Sequence, residues 1–151
     1  AGRSGRADKR GEVIIQTYNP THYAIVHAGN QDYQAFAEEE LEHRRRLNYP
    51  PFYRLARILF QCSDGNLLEQ EMAFLQEKAL LAAASFGAND LYLLGPAPAP
   101  FARINKLNRW HLILKARTPS ILKQALKRIS ELYTPPAAIH SHPDVDPLNL
   151  M

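Results

Sequence analysis

The chain has a single cysteine, Cys62, among 151 residues. No intrachain disulfide is therefore possible, and no cysteine-rich zinc cluster can be built from it. Apolar runs are short: none approaches the roughly 18 residues of a membrane span, and no secretory signal opens the chain. No G-x-x-x-x-G-K-[ST] loop occurs, so the sequence holds no phosphate-cradling P-loop. No Ser-His-Asp or Cys-His arrangement and no paired carboxylates stand out, which leaves no nucleophilic or acid–base centre to read. What remains, 22% charged and 46% hydrophobic residues, is the composition of a soluble, cytoplasmic globular chain with room for one ordinary domain and an appendage. The net charge of +3 is unevenly spread. Residues 1–49 hold seven basic and seven acidic groups, and residues 50–151 hold eleven basic against eight acidic. The excess in the second part suits a polyanionic partner.

The first six residues, Ala1-Gly2-Arg3-Ser4-Gly5-Arg6, form a GRxGR element. Two guanidiniums three apart, each behind a glycine, can grip phosphate oxygens bidentately while the backbone comes close to the ligand. An arginine on a transferring γ-phosphate is worth several orders of magnitude in rate. Arginine-glycine repeats also form flexible nucleic-acid-binding tails, and the six residues alone leave both readings open.

Gly11–Thr17, β-branched and bounded by Asn19-Pro20, predicts a buried strand. Thr21 then caps a short helix near His22–Ala28 that ends at Gly29-Asn30. A second helix is expected from Asp32 to about Leu47, its acidic run Glu38-Glu39-Glu40-Glu42 preceding Arg44-Arg45-Arg46. That order complements the helix dipole and pairs Glu40 with Arg44 and Glu42 with Arg46, so a solvated linker helix outweighs DNA contact there. Tyr49-Pro50-Pro51-Phe52 breaks the helix and sets a boundary between residues 1–48 and 49–151.

Beyond it the pattern is regular. Phe52–Cys62 alternates as a strand, with Tyr53, Leu55, Arg57, Leu59 and Gln61 on one face. A helix follows over Leu67–Phe86. Leu91–Leu94 forms a strand that runs into Gly95-Pro96-Ala97-Pro98-Ala99-Pro100, where alternating prolines predict an extended loop. Leu107–Ala116 is the third strand. Pro119 opens a helix to about Tyr133 behind a Thr118 cap, and Ala137–Val145 is the final strand. Strand-helix-strand-strand-helix-strand is the split βαβ, ferredoxin-like α+β arrangement: a four-stranded antiparallel sheet with both helices on one face.

Arg103 to His111 (RINKLNRWH) is the best nucleic-acid candidate. Arg103, Lys106 and Arg109 suit phosphates, Trp110 offers a ring to an unstacked base, and Lys115 extends the set. The alternative is a solvated hairpin tip with Trp110 in the core. On the last helix, Lys123, Gln124, Lys127 and Arg128 form a face that suits an acidic tail, although a plain solvent face weighs more. His140, His142 and Asp144 would share one face of a strand. Metal sites recruit ligands from several elements, so no metal site is assigned to them.

Taken together, AGRSGRADKRGEVIIQTYNP, Asp32-Tyr33, Phe36, the Glu38–Glu42 run, Asn48-Tyr49-Pro50-Pro51-Phe52, Arg54-Leu55-Ala56, Leu94–Pro100 and Asp144-Val145-Asp146-Pro147 resemble the PriA family of primosomal replication-restart helicases, in superfamily 2. The resemblance spans nearly the whole chain, and the YPPF, GPAPAP and DVDP segments are its specific part. It implies a C-terminal piece of such a helicase. Arg3 and Arg6 would be arginine fingers on ATP, residues 1–48 a remnant of a RecA-like second lobe, and residues 49–151 an S10-like domain. That domain would bind forked or single-stranded DNA and the single-stranded DNA-binding protein, beside other primosome proteins. ATP, Mg and a structural Zn would belong to segments upstream, with none bound by this piece and no ATP turnover by it alone. The family has aliphatic residues where this chain has His140-Ser141-His142-Pro143, and Pro143 removes one ladder N–H. The last strand is therefore expected at an edge or cut short.

Overall fold

The computed structural model describes residues 13–147. The chain divides into two compact units, with the division between Glu42 and His43.

In the first unit the expected strand at Gly11–Thr17 is not found. Gly11 and Glu12 lie outside the described residues, and Val13–Thr17 is exposed and belongs to no strand. A β-rich sequence becomes a strand only when a neighbour completes its ladder, and none of the described strands pairs with it. Helix α1 spans Tyr23–Asn30. Its cap is His22 rather than Thr21: the His22 ring accepts from Ala24 N–H at 3.2 Å, while Thr21 bonds Asn19. Gln31 ends it in the left-handed conformation (φ 57°), closing onto the last carbonyls one residue beyond Gly29-Asn30. Helix α2, Tyr33–Arg46, starts where expected because the Asp32 carboxylate accepts from Ala35 N–H at 3.0 Å. Tyr23 donates to Glu40, and His27 bonds Glu39 at 2.9 Å.

The second unit carries strands β1 (Arg54–Cys62), β2 (Leu91–Ile104), β3 (Leu107–Ala116) and β4 (His140–Val145), with helix α3 (Gly65–Ala83) after β1 and α4 (Pro119–Leu132) after β3. The strand order β2-β3-β1-β4 is antiparallel at every pairing. This is the expected split βαβ α+β fold. β1 and β2 run parallel with β3 inserted between them, and α3 and α4 cover the sheet.

Alternation decides which face they cover. Ala56, Phe60 and Cys62 of β1, Leu112, Leu114 and Ala116 of β3, and Leu91 of β2 join Leu68, Met72, Leu75, Ala79 and Ala82 of α3 and Leu122, Ala125 and Ile129 of α4 in one core. The α3 positions recur every three or four residues, so each falls on the same stripe. Burying a Leu or Met side chain fully is worth about 1.5–3 kcal/mol. Asp64 caps α3 by accepting from Asn66 and Leu67 N–H, which starts the helix two residues before the expected Leu67. Thr118 caps α4 as expected, accepting from Ile121 N–H at 3.3 Å.

Two strands depart from expectation. β2 does not stop at Leu94: the Pro96–Pro100 stretch continues as strand to Ile104, with register shifts between Leu94 and Ala97 and between Pro98 and Arg103. An edge strand tolerates prolines because the missing N–H can face outward. β4 begins at His140 rather than Ala137, because a turn closed by Ile139 N–H on Pro136 O occupies the preceding residues. β4 is the opposite edge, which accommodates Pro143.

Candidate nucleic-acid interface

Residues directly opposite one another in an antiparallel ladder share a face. On the face turned away from the helices, β1 offers Leu55, Arg57, Leu59 and Gln61. Lys115, Ile113, His111 and Arg109 of β3 lie opposite them in that order. On the other side of β1, Asp144 pairs with Arg57, His142 with Leu59 and His140 with Gln61. Three cations thus lie on a face that neither α3 nor α4 covers, although Leu55, Ile113, Arg109 and Lys115 there are buried.

Each is held by a named partner. Arg57 Nη2 lies 3.5 Å from Asp144 Oδ2. Arg109, 8% exposed, donates from Nη1 to Phe101 O at 3.1 Å. Lys115, equally buried, donates to Leu47 O at 2.9 Å, with its ammonium 3.7 Å from the Tyr49 ring centroid. The segment after α2 is tied to the sheet in this way, and burial pushes the Lys115 ammonium below its ordinary pKa. His111 is held below the usual imidazole value by burial first, then by the neighbouring Arg57 and Arg109 charges. Arg109 Nε and His111 Nδ1 are buried without a hydrogen-bond partner.

Arg103 and Lys106 sit elsewhere. They are exposed at the hairpin between β2 and β3, where Ile104 pairs with Leu107 and the two turn residues Asn105 and Lys106 have φ of 50° and 66°. Such left-handed pairs match strand twist in two-residue hairpins. Asn108 is structural: its amide donates to Cys62 O and Ser63 O. Trp110, opposite Phe60, is half-buried against the core on the helix side. The sequence-predicted group is therefore divided. Arg103 and Lys106 are at the tip, Arg109 and Lys115 are buried on the face turned away from α3 and α4, and Trp110 is on the opposite face. Arg57, which the sequence reading did not group with these residues, lies on the same face as Arg109, His111 and Lys115; the alternation already placed it between Leu55 and Leu59 in a central strand.

On α4, Lys123 borders a hollow of about 290 Å³ with Arg54, Leu122 and Val145. Lys127 borders an apolar groove of about 520 Å³ lined by Ile58, Phe60, Leu126, Tyr133 and Pro143. Gln124 and Arg128 line a polar hollow with Ser85 and Phe86. Lys127 pairs with Glu131 at 3.7 Å and Gln124 donates to Ser120 at 3.2 Å. Within the groove, Tyr133 donates to Glu71, and burial together with that carboxylate raises its pKa. Arg3 and Arg6 lie outside the described residues. Among the described residues, no three His, Cys, Asp or Glu side chains are grouped to hold a metal ion, and no helix is long and apolar enough to cross a membrane.

The family described as primosomal protein N C-terminal domain matches residues 45–148. Replication restart protein PriA of Bacillus subtilis is 37% identical over 133 residues, 88% of this chain and 16% of the relative. PriA of Synechocystis is 38% identical over 152 residues, 99% of the chain and 17% of the relative. PriA of Haemophilus influenzae is 36% identical over 135 residues, covering 87% and 17%. The chain thus spans about a sixth of the length of these relatives.

Proposed function

Since the chain belongs to the primosomal protein N C-terminal domain family, we propose that it serves a replication-restart helicase by binding forked or single-stranded DNA. The supporting observation is the family match across residues 45–148 combined with an exposed cationic hairpin at Arg103 and Lys106. Lysine and arginine at an exposed tip can follow phosphates without specifying sequence. In this reading residues 49–151 are the binding domain and residues 1–48 the end of a RecA-like lobe. Arg3 and Arg6 act as fingers on the γ-phosphate of ATP, which, with Mg and a structural Zn, belongs to the rest of such a cytoplasmic protein. The fingers would join hydrolysis to closure of the two lobes.

Binding to labelled forked and single-stranded DNA across a salt series tests the proposal. Arg103→Gln with Lys106→Gln should weaken binding and flatten the log–log salt slope, each lost phosphate contact removing about 0.9 on duplex and about 0.7 on a single strand. Absence of binding at low salt overturns it.

One observation favours a second reading. Lys123 and Lys127 stand four apart on the rim of apolar hollows, a fit for a peptide that carries both acidic and apolar residues, such as the tail of the single-stranded DNA-binding protein. Glutamate at both positions should abolish binding of such a peptide, and unchanged binding removes this face from consideration.

A further inference from the structure

We infer that the tip of the β2–β3 hairpin is a wedge for the point where a DNA duplex parts into single strands. Ile104 covers the open face of the last base pair, while Arg103 and Lys106 hold phosphates beside it. This rests on the nucleic-acid reading above and gives its hairpin a defined place on a fork.

The charge at the tip is uncompensated. Residues 91–130 contain eight Lys and Arg and no Asp or Glu. Four of those cations are already engaged, Arg109 and Lys115 by carbonyls, Arg117 by Asp90 and Lys127 by Glu131. At the tip, no ion pair or side-chain hydrogen bond among the described residues holds Arg103 or Lys106. Asp64, next to the Ser63 carbonyl that Asn108 bonds, has its Oδ1 committed to Asn66 and Leu67 N–H. A polyanion therefore meets a net attraction at this end of the hairpin.

The tip is also set clear of the sheet without being loose. Pairing between β1 and β3 ends at Cys62 and Asn108, so the hairpin runs on past β1 as a two-stranded ribbon. Residues 101–106 are all exposed. Arg103 pairs with Asn108 and Ile104 with Leu107 around the left-handed turn at Asn105 and Lys106. The Asn108 amide ties the base of the ribbon to Cys62 O at 3.2 Å and Ser63 O at 3.1 Å. A tip fixed in this way gives up little conformational freedom on meeting a ligand.

Ile104 decides which part of a DNA the tip fits. Neighbouring strand residues point to opposite faces. Arg103 shares a side with Asn108, and Ile104 shares the other side with Leu107. Ile104 is 42% exposed, an apolar side chain in water with Arg103 and Lys106 on either side of it in sequence. A phosphate chain offers it nothing to bury against, whereas the face of a base does. Within a continuous duplex both faces of each base pair are stacked, and inserting a side chain requires unstacking a step. The last pair before a fork already has one open face, so covering it buries the isoleucine without that cost. Sequence-tolerant binding of a lone strand relies on aromatic faces, and residues 103–107 have none. The combination favours the junction over a continuous duplex or a lone strand.

The test uses the whole 151-residue chain and three labelled DNAs with equal numbers of phosphates: a continuous duplex, a single strand and a fork with two unpaired arms. In the fork, 2-aminopurine occupies the last base pair, and circular dichroism confirms the fold of each variant. The wild-type chain should prefer the fork to the duplex and change the 2-aminopurine fluorescence. Ile104→Ser should lower the fork-over-duplex preference by about 3- to 10-fold, the span expected for burying the exposed part of an isoleucine. It should abolish the fluorescence change and leave the salt slope as it was, and Ile104→Leu should restore both signals. Arg103→Gln should instead flatten the salt slope, by about 0.9 on the duplex and about 0.7 on the single strand. Equal wild-type affinity for fork and duplex, or an Ile104→Ser variant that keeps the preference and the fluorescence change, overturns the wedge and keeps the tip as a phosphate binder. Failure of the wild-type chain to bind any of the three DNAs overturns both readings.

Discussion

Replacing Gly95 by alanine should be among the most damaging single-methyl additions in this chain. Gly95 lies where β2 first slips against β3 and has φ of +92°, a conformation side chains rarely adopt. A Cβ built there would lie 2.7 Å from His111 O and 2.8 Å from Ala97 N. Both are backbone atoms, so relief requires moving the edge strand rather than rotating a side chain. Strained backbone at a non-glycine residue costs about 1–3 kcal/mol, and forcing atoms apart in a packed site costs about 1–3 kcal/mol. Alanine returns only about 0.4–1 kcal/mol through the unfolded chain, so a net loss of about 1–5 kcal/mol follows. For a domain of about a hundred residues that is a drop of at least about 4 °C in Tm. Gly87→Ala is the control, because its Cβ would meet only the Asp90 carboxylate, 2.7 Å away at the end of a side chain that can swing aside. Urea and thermal unfolding followed by circular dichroism should separate the two variants clearly. Equal stability of Gly95→Ala and Gly87→Ala would refute the argument.

Three further outcomes are expected. Lys115→Met keeps the apolar stem but leaves Leu47 O without its donor and Tyr49 without its cation; urea unfolding should show a loss of about 1–3 kcal/mol, and wild-type stability would mean that the carbonyl turns to water. Folded His111 binds its proton less readily than the unfolded imidazole, given Arg57 and Arg109 on its own face, with His142 across Leu59 and Asp144 beside Arg57. The unfolded state therefore takes up more protons as pH falls below about 6.5, so stability declines toward the lowered folded value, and unfolding titrations should show a shallower decline in His111→Gln. Asp64→Ala removes the acceptor for Asn66 and Leu67 N–H and should cost about 0.5–2 kcal/mol, read as a lower urea midpoint at constant m.

The fold was legible from residue 52 onward because period-2 and period-3.6 patterns there agree with their caps: Thr118 before Pro119, and the alternation of Leu55, Arg57 and Leu59 against Ala56, Ile58 and Phe60. Gly11–Thr17 misled because strand propensity does not supply a ladder partner, and Val13, Ile14 and Ile15 remain exposed. The Pro96–Pro100 stretch misled in the other direction: prolines argue against a ladder only when the strand is central, and β2 is an edge. The candidate interface was partly legible. Its cations were visible, but the face of Trp110 depends on β3 register against β1, which fixes Trp110 opposite Phe60. Arg57 and His111 come together only across that same pairing, 54 residues apart in sequence, so no local pattern could join them.

Proline stands in both outer strands, in β2 at Pro96, Pro98 and Pro100 and in β4 at Pro143. An outer strand ordinarily offers a row of open amides on which another chain can template itself, and each proline deletes one rung from that row. Neither margin of this sheet can therefore be prolonged as a regular ribbon. Such a domain is guarded against accidental strand-to-strand fusion at both borders, however crowded its surroundings.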